Sequence, residues 1–334
     1  MTRPPSNTEA TQSELILLAK ILGVDSTEIQ EVEALHGGCV ASVSLIRFKK
    51  PVNFDASSAD GALSEVVLKR QTLQTLQTLQ TLQTGQSQEP PQNIEALALE
   101  FLAKETMLPV PRVLSAATAY LVMSVLPGDS VMTSGRQQDA ARHIAALHRF
   151  QPKAEIAKTE RQKSYGFAYD TYLGELLQPN PWTDSWRNFY REQRIWYMAQ
   201  AAHREGLLSV KVMRRLDKFC SRLDRWLDEP EGGPSLVHGD LWTTNILGVG
   251  DAVTGFIDPA IYYGHPAMDL AFGTLFNTFQ EPFFKTYAEY RAIPEGFFEI
   301  VKDLYNLYPL LVHVRLFGGG YVSDIERILK RVGC

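Results

Sequence analysis

The segment 235–260, SLVHGDLWTTNILGVGDAVTGFIDPA, constrains the fold of this chain more than any other stretch. Its apolar and β-branched residues are typical of short strands, and Gly248 and Gly250 indicate a turn between them. Helical spacing dominates on both sides, in RQQDAARHIAALHRF, within 184–205 and 209–228, and from Ala267 onward. One strand-like segment rich in polar residues, enclosed by helices, predicts that the functional site of a mainly helical domain lies here.

Three polar residues of this segment have the spacing of a phosphoryl-transfer site. Asp240 follows His238 and Gly239; Asn245 comes five residues later, and Asp258 thirteen residues after that. Phosphoryl transfer needs a carboxylate near the attacking hydroxyl and oxygen ligands for Mg²⁺. The D-L-x-x-x-N pattern is found in kinase catalytic loops, where the aspartate is the base and the asparagine holds the metal. A hairpin would return Asp258 to the same metal site.

The first part of the chain has a different character. A short amphipathic helix is predicted from Thr11 to about Gly23, and one internal helix over NIEALALEFLAKE. Five segments are predicted to be strands: IQEVEAL, VASVSLIRF, SEVVLKR, PRVLSA and AYLVMSVL. Residues 72–92 begin with four Thr-Leu-Gln repeats, whose period of three suits neither helix nor strand and indicates a low-complexity surface insertion. We therefore expect an α+β lobe over 1–125 and a helical lobe over 126–334.

The first lobe supplies candidate nucleotide-binding residues. Lys69 ends the strand VVLKR, where its ammonium could reach phosphates, and Glu95 opens the following helix and could pair with it. Glu100 is the rival partner, although it lies within an apolar run. Gly37 and Gly38 precede both, in a loop whose backbone N–H groups could approach phosphate.

Charge and composition exclude several classes of function. A net charge of −5 and a pI near 5.9 argue against binding to nucleic acid or to anionic membranes, which favour basic surfaces. The polar N-terminus lacks the features of a signal peptide, and no apolar run is long enough to cross a membrane. Three scattered cysteines suit neither a disulfide framework nor a zinc site. We expect a cytoplasmic protein with neither nucleic-acid nor membrane partners.

Several longer motifs resemble one family of small-molecule kinases. HGDLWTTN followed by IDPAIYYGHPAMDLA closely resembles the fructosamine (ketosamine-3) kinases, as do GFAYDTYLGELLQPNPWTDSWRNFYREQR and LYNLYPLLVHVRLFGGGY. The resemblance runs in order from about residue 12 to 330. HGDLxxxN alone would also fit aminoglycoside, choline or homoserine kinases, so the flanking motifs carry the narrower identification.

The resemblance implies a bilobal protein-kinase-like fold, with a small five-stranded N-lobe and a mainly helical C-lobe carrying the catalytic hairpin. It implies ATP and Mg²⁺ as cofactors, with Asp240 as the base and Asn245 and Asp258 as metal ligands. Lys69, paired with Glu95, would anchor the phosphates. The backbone of Met123, Ser124 and Val125 would hold adenine; relatives often have an acidic residue in place of Ser124.

Other residues of the segment have more than one interpretation. Trp242 could offer its face to a sugar or simply pack the lobe, and Tyr263 and His265 could line the acceptor pocket. His238 is interpreted as a structural residue rather than a proton carrier. Asp269 could hold the catalytic loop or cap a helix.

Cys39 follows the two glycines and could act as a redox switch. Its thiol could be oxidised or could pair with that of a second chain, and either change would block nucleotide entry. The protein is therefore expected to be either a monomer or a redox-linked dimer.

The function implied is ATP-dependent phosphorylation of the sugar 3-hydroxyl of ketosamines, which are ribulosamine, fructosamine or erythrulosamine adducts of lysine, free or on proteins. The phosphorylated adduct would decompose and free the amine, a protein-repair reaction. The alternatives are a small-molecule kinase of the aminoglycoside or choline type and a non-catalytic nucleotide-binding pseudokinase.

Overall fold

A computed structural model describes residues 11–35, 42–54, 62–71, 93–150 and 164–334. Gly37, Gly38, Cys39 and the Thr-Leu-Gln repeat of 72–92 lie outside the described residues. The chain divides into two compact units: Met1–Phe101 with Val110–Leu126, and Leu102–Pro109 with Pro127–Cys334. Within the described residues, no helix has the length and hydrophobicity needed to cross a membrane.

The first unit contains a five-stranded antiparallel sheet. Its strands, in the spatial order β1-β2-β3-β5-β4, are β1 Ile29–Leu35, β2 Ser42–Val52, β3 Leu63–Arg70, β5 Tyr120–Ser124 and β4 Val113–Ala117. Helix α1 covers Gln12–Leu22, and helix α2 covers Ile94–Glu105. The sheet and the internal helix α2 confirm the predicted composition of this part of the chain.

Alternation along the strands gives the sheet two apolar faces. Val66 and Leu68 of β3 are fully buried in a cluster with Leu18 of α1. Val67, which points to the opposite face, packs in a second cluster with Leu99 of α2 and Leu121 of β5. Successive strand residues face opposite sides of a sheet, so Lys69 shares the α2 face with Val67.

The second unit is mainly helical. Its helices are α3 Ser134–His148, α4 Trp186–Phe189, α5 Tyr197–Arg204, α6 Val210–Cys220, α7 Ala267–Leu275, α8 Glu281–Tyr290, α9 Lys302–Phe317 and α10 Val322–Arg331. Residues Tyr190–Trp196 and Phe297–Val301 form π-helical turns, and short 3₁₀ segments cover Leu223–Arg225, Thr243–Asn245 and Gly319–Tyr321. A further 3₁₀ segment, Ser26–Glu28, lies in the first unit.

Three pairs of short strands complete this unit. They are β6 Thr171–Leu173 with β7 Leu176–Gln178, β8 Ser235–Val237 with β11 Tyr262–Gly264, and β9 Ile246–Val249 with β10 Ala252–Phe256. The predicted catalytic hairpin is thus a β9–β10 hairpin enclosed in sequence by the β8–β11 pair. The β6–β7 hairpin has no counterpart among the predictions, because three-residue strands are too short to display a period of two.

The core of the second unit contains histidines that hold no charge at neutral pH. His265 is 5% exposed and packs against the rings of Tyr305 and Trp186, while its Nδ1 accepts a hydrogen bond from the backbone N–H of Ala267. Burial lowers the pKa of His265 to about 3. Burial likewise lowers the pKa of His148 and of His238. The folded protein therefore keeps these rings neutral at mildly acidic pH, at which the same histidines would be protonated in the unfolded chain.

This difference predicts a loss of stability in mild acid. A group with a depressed pKa in the folded state binds its proton mainly when unfolded, so stability falls as the pH drops below the unfolded value of about 6.5. His265 alone should remove about 2 kcal/mol from the free energy of unfolding between pH 6.5 and pH 5. Denaturant unfolding of the parent and of His265→Asn, which keeps an acceptor for Ala267 N–H, measures this. Equal pH dependence in the two proteins would contradict the assignment.

Candidate active site

The catalytic turn, defined as residues 238–245, is closed by hydrogen bonds from its last residue to Asp240. The side-chain Nδ2 of Asn245 donates to the backbone oxygen of Asp240 at 2.9 Å and to its carboxylate Oδ2 at 3.0 Å. The backbone N–H of Asn245 also donates to the oxygen of Trp242 at 3.0 Å. These bonds bring Asp240 and Asn245 side by side.

Asp258 reaches the same place through the β9–β10 hairpin. The hairpin pairs Ile246 with Phe256, and the backbone N–H of Ile257 donates to the oxygen of Asn245 at 3.0 Å. Asp258 follows immediately, with a φ of 55°, in the left-handed region that non-glycine residues rarely adopt. Such strain persists only where the surrounding structure enforces it, and it is concentrated at functional sites.

The side chains present fit a hard divalent cation. The amide nitrogen of Asn245 donates both of its hydrogen bonds to Asp240. Within the part of the chain that the structure describes, the contact of its Oδ1 is a long one of 3.5 Å from the Thr244 hydroxyl. Amide and carboxylate oxygens are the ligands that Mg²⁺ accepts, with phosphate and water completing its shell. Among the described residues, no group of three or more His, Cys, Asp or Glu could hold a metal ion.

A buried carboxylate fixes the backbone at the start of the catalytic turn. Asp269 is 1% exposed, and its two oxygens accept hydrogen bonds from the backbone N–H of His238 at 2.7 Å and of Gly239 at 2.9 Å. Asp269 therefore holds the catalytic turn, which is the first of its two interpretations. Gly239 has a φ of 85°, and a Cβ there would lie 2.1 Å from the oxygen of Ala260, so only glycine fits.

His148 connects this carboxylate to the helices behind it. Its Nε2 lies 3.1 Å from Asp269 Oδ2 and its Nδ1 lies 2.8 Å from the hydroxyl of Tyr287. Burial by itself raises the pKa of Asp269, but hydrogen bonds from His148 and from the Gly239 N–H outweigh it, and the net pKa is lowered. A neutral His148 therefore donates from Nε2 to an ionised Asp269 and accepts from the Tyr287 hydroxyl.

His238 is placed as a structural residue of the turn. Its ring is fully buried, and its Nδ1 accepts a hydrogen bond from the backbone N–H of Asp240 at 3.3 Å. Burial lowers the pKa of His238, so the ring is neutral and able to accept that bond.

The candidate nucleotide residues of the first unit lie on its central strand and on α2. The ammonium of Lys69 lies 2.7 Å from Glu95 Oε2, and both side chains are about 15% exposed, at 14% and 15%. Glu95 lies one turn before the buried Leu99 and so shares its sheet-facing side, whereas Glu100 is exposed. The helix periodicity thus explains why Glu95 and not Glu100 meets Lys69.

Asn93 is a positioning residue that the sequence did not indicate. Its Oδ1 accepts a hydrogen bond from the N–H of Ala96, which caps α2, and its Nδ2 donates to the oxygens of Ala117 and Tyr120. One buried amide therefore joins the start of α2 to β4 and β5. An Asn before a helix is a recognisable cap, but its bonds to the sheet require the tertiary structure.

Residues 123 and 124 end β5, the strand that lies next to β3 in the sheet, and residue 125 comes directly after it. Met123 pairs with Val67 and is 6% exposed. The hydroxyl of Ser124 accepts the backbone N–H of Arg112 at 2.9 Å, and the N–H of Ser124 donates to the oxygen of Arg112, also at 2.9 Å. The Ser124 hydroxyl therefore binds the backbone just before β4, the edge strand of the sheet, and Val125 is the next residue.

The three candidate acceptor residues occupy different surroundings. His265 is in the core, and its burial leaves almost no surface with which to contact an acceptor. Tyr263 is 8% exposed and stacks on Trp182 and Phe167. Trp182 and Phe167 belong to the lining of a cavity of about 520 Å³, which Tyr169, Asp170 and Asn180 also line. Trp242 is partly exposed and packs against Phe276.

Comparisons with known proteins agree with one another. The model of one protein family, described as fructosamine kinase, matches residues 16–333. A relative from Synechocystis sp. named probable ketoamine kinase is 35% identical over 249 residues, covering 71% of this chain and 77% of the relative.

Solved structures share the fold. A crystal structure from Haemophilus somnus with the provisional name fructosamine-3-kinase is 25% identical, covers 95% of both chains and gives a TM-score of 0.71. An ADP-bound aminoglycoside phosphotransferase is 14% identical, covers 96% of this chain and 97% of the other, and gives a TM-score of 0.57. These likenesses confirm the predicted kinase-like α+β fold.

The role of Asp269 gives a direct test of the catalytic turn. Asp269→Asn replaces one acceptor oxygen by an NH₂ group, so at least one buried donor would face another donor. We expect the free energy of unfolding to fall by about 3 kcal/mol, measured by denaturant unfolding at pH 7. The control is Asp324→Asn, whose carboxylate is 46% exposed in a surface pair with Arg327 and should change stability by less than about 0.5 kcal/mol. Equal losses in the two variants would refute the role given to Asp269.

Proposed function

The chain belongs to the fructosamine kinase family, and from this premise we propose that it transfers the γ-phosphoryl group of ATP to the sugar 3-hydroxyl of ketosamines. The acceptor is a lysine amine glycated by a reducing sugar, free or within a protein. The observation that carries the proposal is the hydrogen-bonded pair Asp240–Asn245, with Asp258 joined to it through the Ile257–Asn245 backbone bond. A phosphorylated ketosamine would then decompose and free the amine, which makes the reaction a repair of glycated lysine.

In this mechanism Asp240 accepts the proton of the attacking hydroxyl. The oxygen of that hydroxyl forms a bond to the γ-phosphorus while the bond from phosphorus to the oxygen of the departing ADP breaks. The amide of Asn245 fixes the orientation of the Asp240 carboxylate, because it donates to Oδ2 at 3.0 Å. Proton transfer to a positioned base typically contributes about 10² to 10⁴ in rate.

Asn245 and Asp258 would hold the divalent cation, which we propose is Mg²⁺. When bound, this ion would supply positive charge against the phosphate oxygens of the nucleotide. In the first unit, Lys69 would bind phosphate oxygens, with Glu95 orienting its ammonium at 2.7 Å. The backbone of Met123 to Val125 would hold adenine, so the serine at position 124 should not alter that contact.

We expect turnover in an acceptor panel. ADP release is measured with Mg²⁺ and ATP on a ribulosamine-lysine, a fructosamine-lysine and an aminoglycoside. We predict ADP release with one or both ketosamines and none with the aminoglycoside. The relative rates with the two ketosamines rank the two sugars as acceptors. Turnover of the aminoglycoside alone would contradict the proposal. Binding of Mg–ATP without turnover of any acceptor would also contradict it, because that is the behaviour of a pseudokinase.

Substitution of the base tests the mechanism. Asp240→Asn keeps the shape of the side chain, so we expect Mg–ATP to bind as in the parent while kcat falls about 10² to 10⁴-fold. The matched control is Asp251→Asn in the turn of the same hairpin, where the exposed carboxylate accepts a hydrogen bond from Thr133. A kcat for Asp240→Asn close to that of Asp251→Asn would refute the assignment of Asp240 as the base.

A further inference from the structure

A row of aromatic rings runs from the catalytic turn along the surface of the second unit. We call Trp242, Phe276, His313, Phe317 and Tyr321 the aromatic strip. Trp242 lies 5.8 Å from Phe276 between ring centres, and Phe276 lies 5.0 Å from His313. His313 in turn lies 5.3 Å from Phe317 and 5.1 Å from Tyr321. Each step is within the usual range for contacting aromatic rings, so the strip is continuous.

The strip is open to solvent at several points. Phe276 is 36% exposed and Phe317 is 49% exposed, while Trp242, His313 and Tyr321 are partly exposed. Large contiguous apolar surfaces are uncommon on soluble proteins unless they bind something. The strip is therefore a candidate binding surface, and its position bears on what would bind there.

One end of the strip belongs to the catalytic turn itself. Trp242 comes two residues after Asp240, inside the loop that the Asn245–Asp240 hydrogen bonds close. The next residue, Thr243, shares a hydroxyl–hydroxyl hydrogen bond of 2.7 Å with Thr278, two residues after Phe276. The turn and the strip are thus fastened together, and a hydroxyl group presented to Asp240 would bring the rest of its molecule toward the strip.

His313, in the middle of the strip, has a free hydrogen-bond acceptor. Its Nδ1 lies 2.6 Å from the oxygen of Pro309, and because a carbonyl can only accept, Nδ1 carries the proton. Burial lowers the pKa of His313, so the ring is neutral and Nε2 holds a lone pair. Among the described residues Nε2 has no hydrogen-bond partner. An acceptor nitrogen surrounded by aromatic faces is suited to a cation that carries an N–H group.

We infer that the aromatic strip binds the amine-bearing part of the ketosamine, with the sugar at Trp242, the protonated secondary amine at His313 Nε2, and the lysine methylenes and neighbouring peptide on Phe317 and Tyr321. This inference rests on the proposed function. The order of chemistry along the strip matches the order along the acceptor: a sugar, then a cation, then an alkyl chain. An aminoglycoside, with many ammonium groups and no alkyl chain, would find a single uncharged acceptor and no carboxylate partner in these five residues.

Three acceptors built on one ketose separate the parts of the strip. They are the adduct of a short lysine peptide, the adduct of methylamine, and the 1-O-methyl ether, in which oxygen replaces the amine. In Phe317→Ala we expect the ratio of kcat/KM for the peptide adduct to that for the methylamine adduct to fall about tenfold. His313→Phe keeps an aromatic ring but removes the hydrogen-bond acceptor nitrogen. In this variant we expect the ratio of kcat/KM for the methylamine adduct to kcat/KM for the ether to fall about tenfold.

The matched control is Phe298→Ala, because Phe298 is 50% exposed and packs against Phe284 and Phe297, away from the strip. It should leave both ratios unchanged. If Phe317→Ala and His313→Phe both turn over ketosamines and their kcat/KM ratios stay at the parent values, this inference is overturned. The proposed function would still stand in that case. Absence of ketosamine turnover in the parent would instead overturn the proposed function. A dimer in the parent that Phe317→Ala dissociates, with unchanged ratios, would assign the strip to a second copy of the chain and likewise overturn the inference.

Discussion

The carboxylate of Asp269 is the interaction on which the functional part of the second unit depends. A fully buried charge is tolerated only when its hydrogen-bonding capacity is met, and here two backbone N–H groups and an imidazole meet it. Because the two N–H groups belong to His238 and Gly239, the same bonds that satisfy the charge also fix the backbone leading into Asp240. The proposed base is therefore positioned by a residue of α7, and through His148 and Tyr287 by α3 and α8 as well.

The proposed metal ligands, Asn245 and Asp258, depend on a second constraint, the close approach of two chain segments. Gly239 crosses the segment at Ala260 so closely that a Cβ has no room, and the N–H of Ala260 donates to the oxygen of His238 at 2.9 Å. On the other side of the turn, the Ile257–Asn245 bond sets the register that brings Asp258 next to Asn245. Asp258 follows directly after this bond and has a left-handed backbone, a conformation that persists only where the surrounding structure enforces it.

Local patterns in the sequence predicted the strands and indicated the candidate catalytic segment, because period-two alternation and short motifs are properties of neighbouring residues. The five strands and α2 follow from such patterns, and so does the closeness of Asp240 and Asn245, which are five residues apart. The contacts of Asp269 with residues about 30 positions earlier could not be predicted in this way, and neither could those of His148 or the bonds of Asn93 to the sheet. His265 shows the opposite failure: a histidine next to a functional motif was expected in the acceptor pocket, but it packs between Tyr305 and Trp186 in the core. A short motif does not distinguish a ring that faces a ligand from one that fills the interior.

The two sides of the catalytic turn are held by different kinds of interaction, and this separates the chemistry from the choice of acceptor. The backbone at His238 and Gly239 is bound to a buried carboxylate, where any change leaves a polar group unsatisfied and costs stability. Trp242, on the same turn, contacts Phe276 and the partly exposed rings beyond it, where one apolar side chain can replace another at small cost. If the strip binds the acceptor as proposed, substitutions along it would alter which molecule is held near Asp240 without moving Asp240 itself. With the proposed base held by the buried side of the turn and the proposed acceptor contacts on its exposed side, new acceptors could be acquired while the phosphoryl-transfer geometry stays the same.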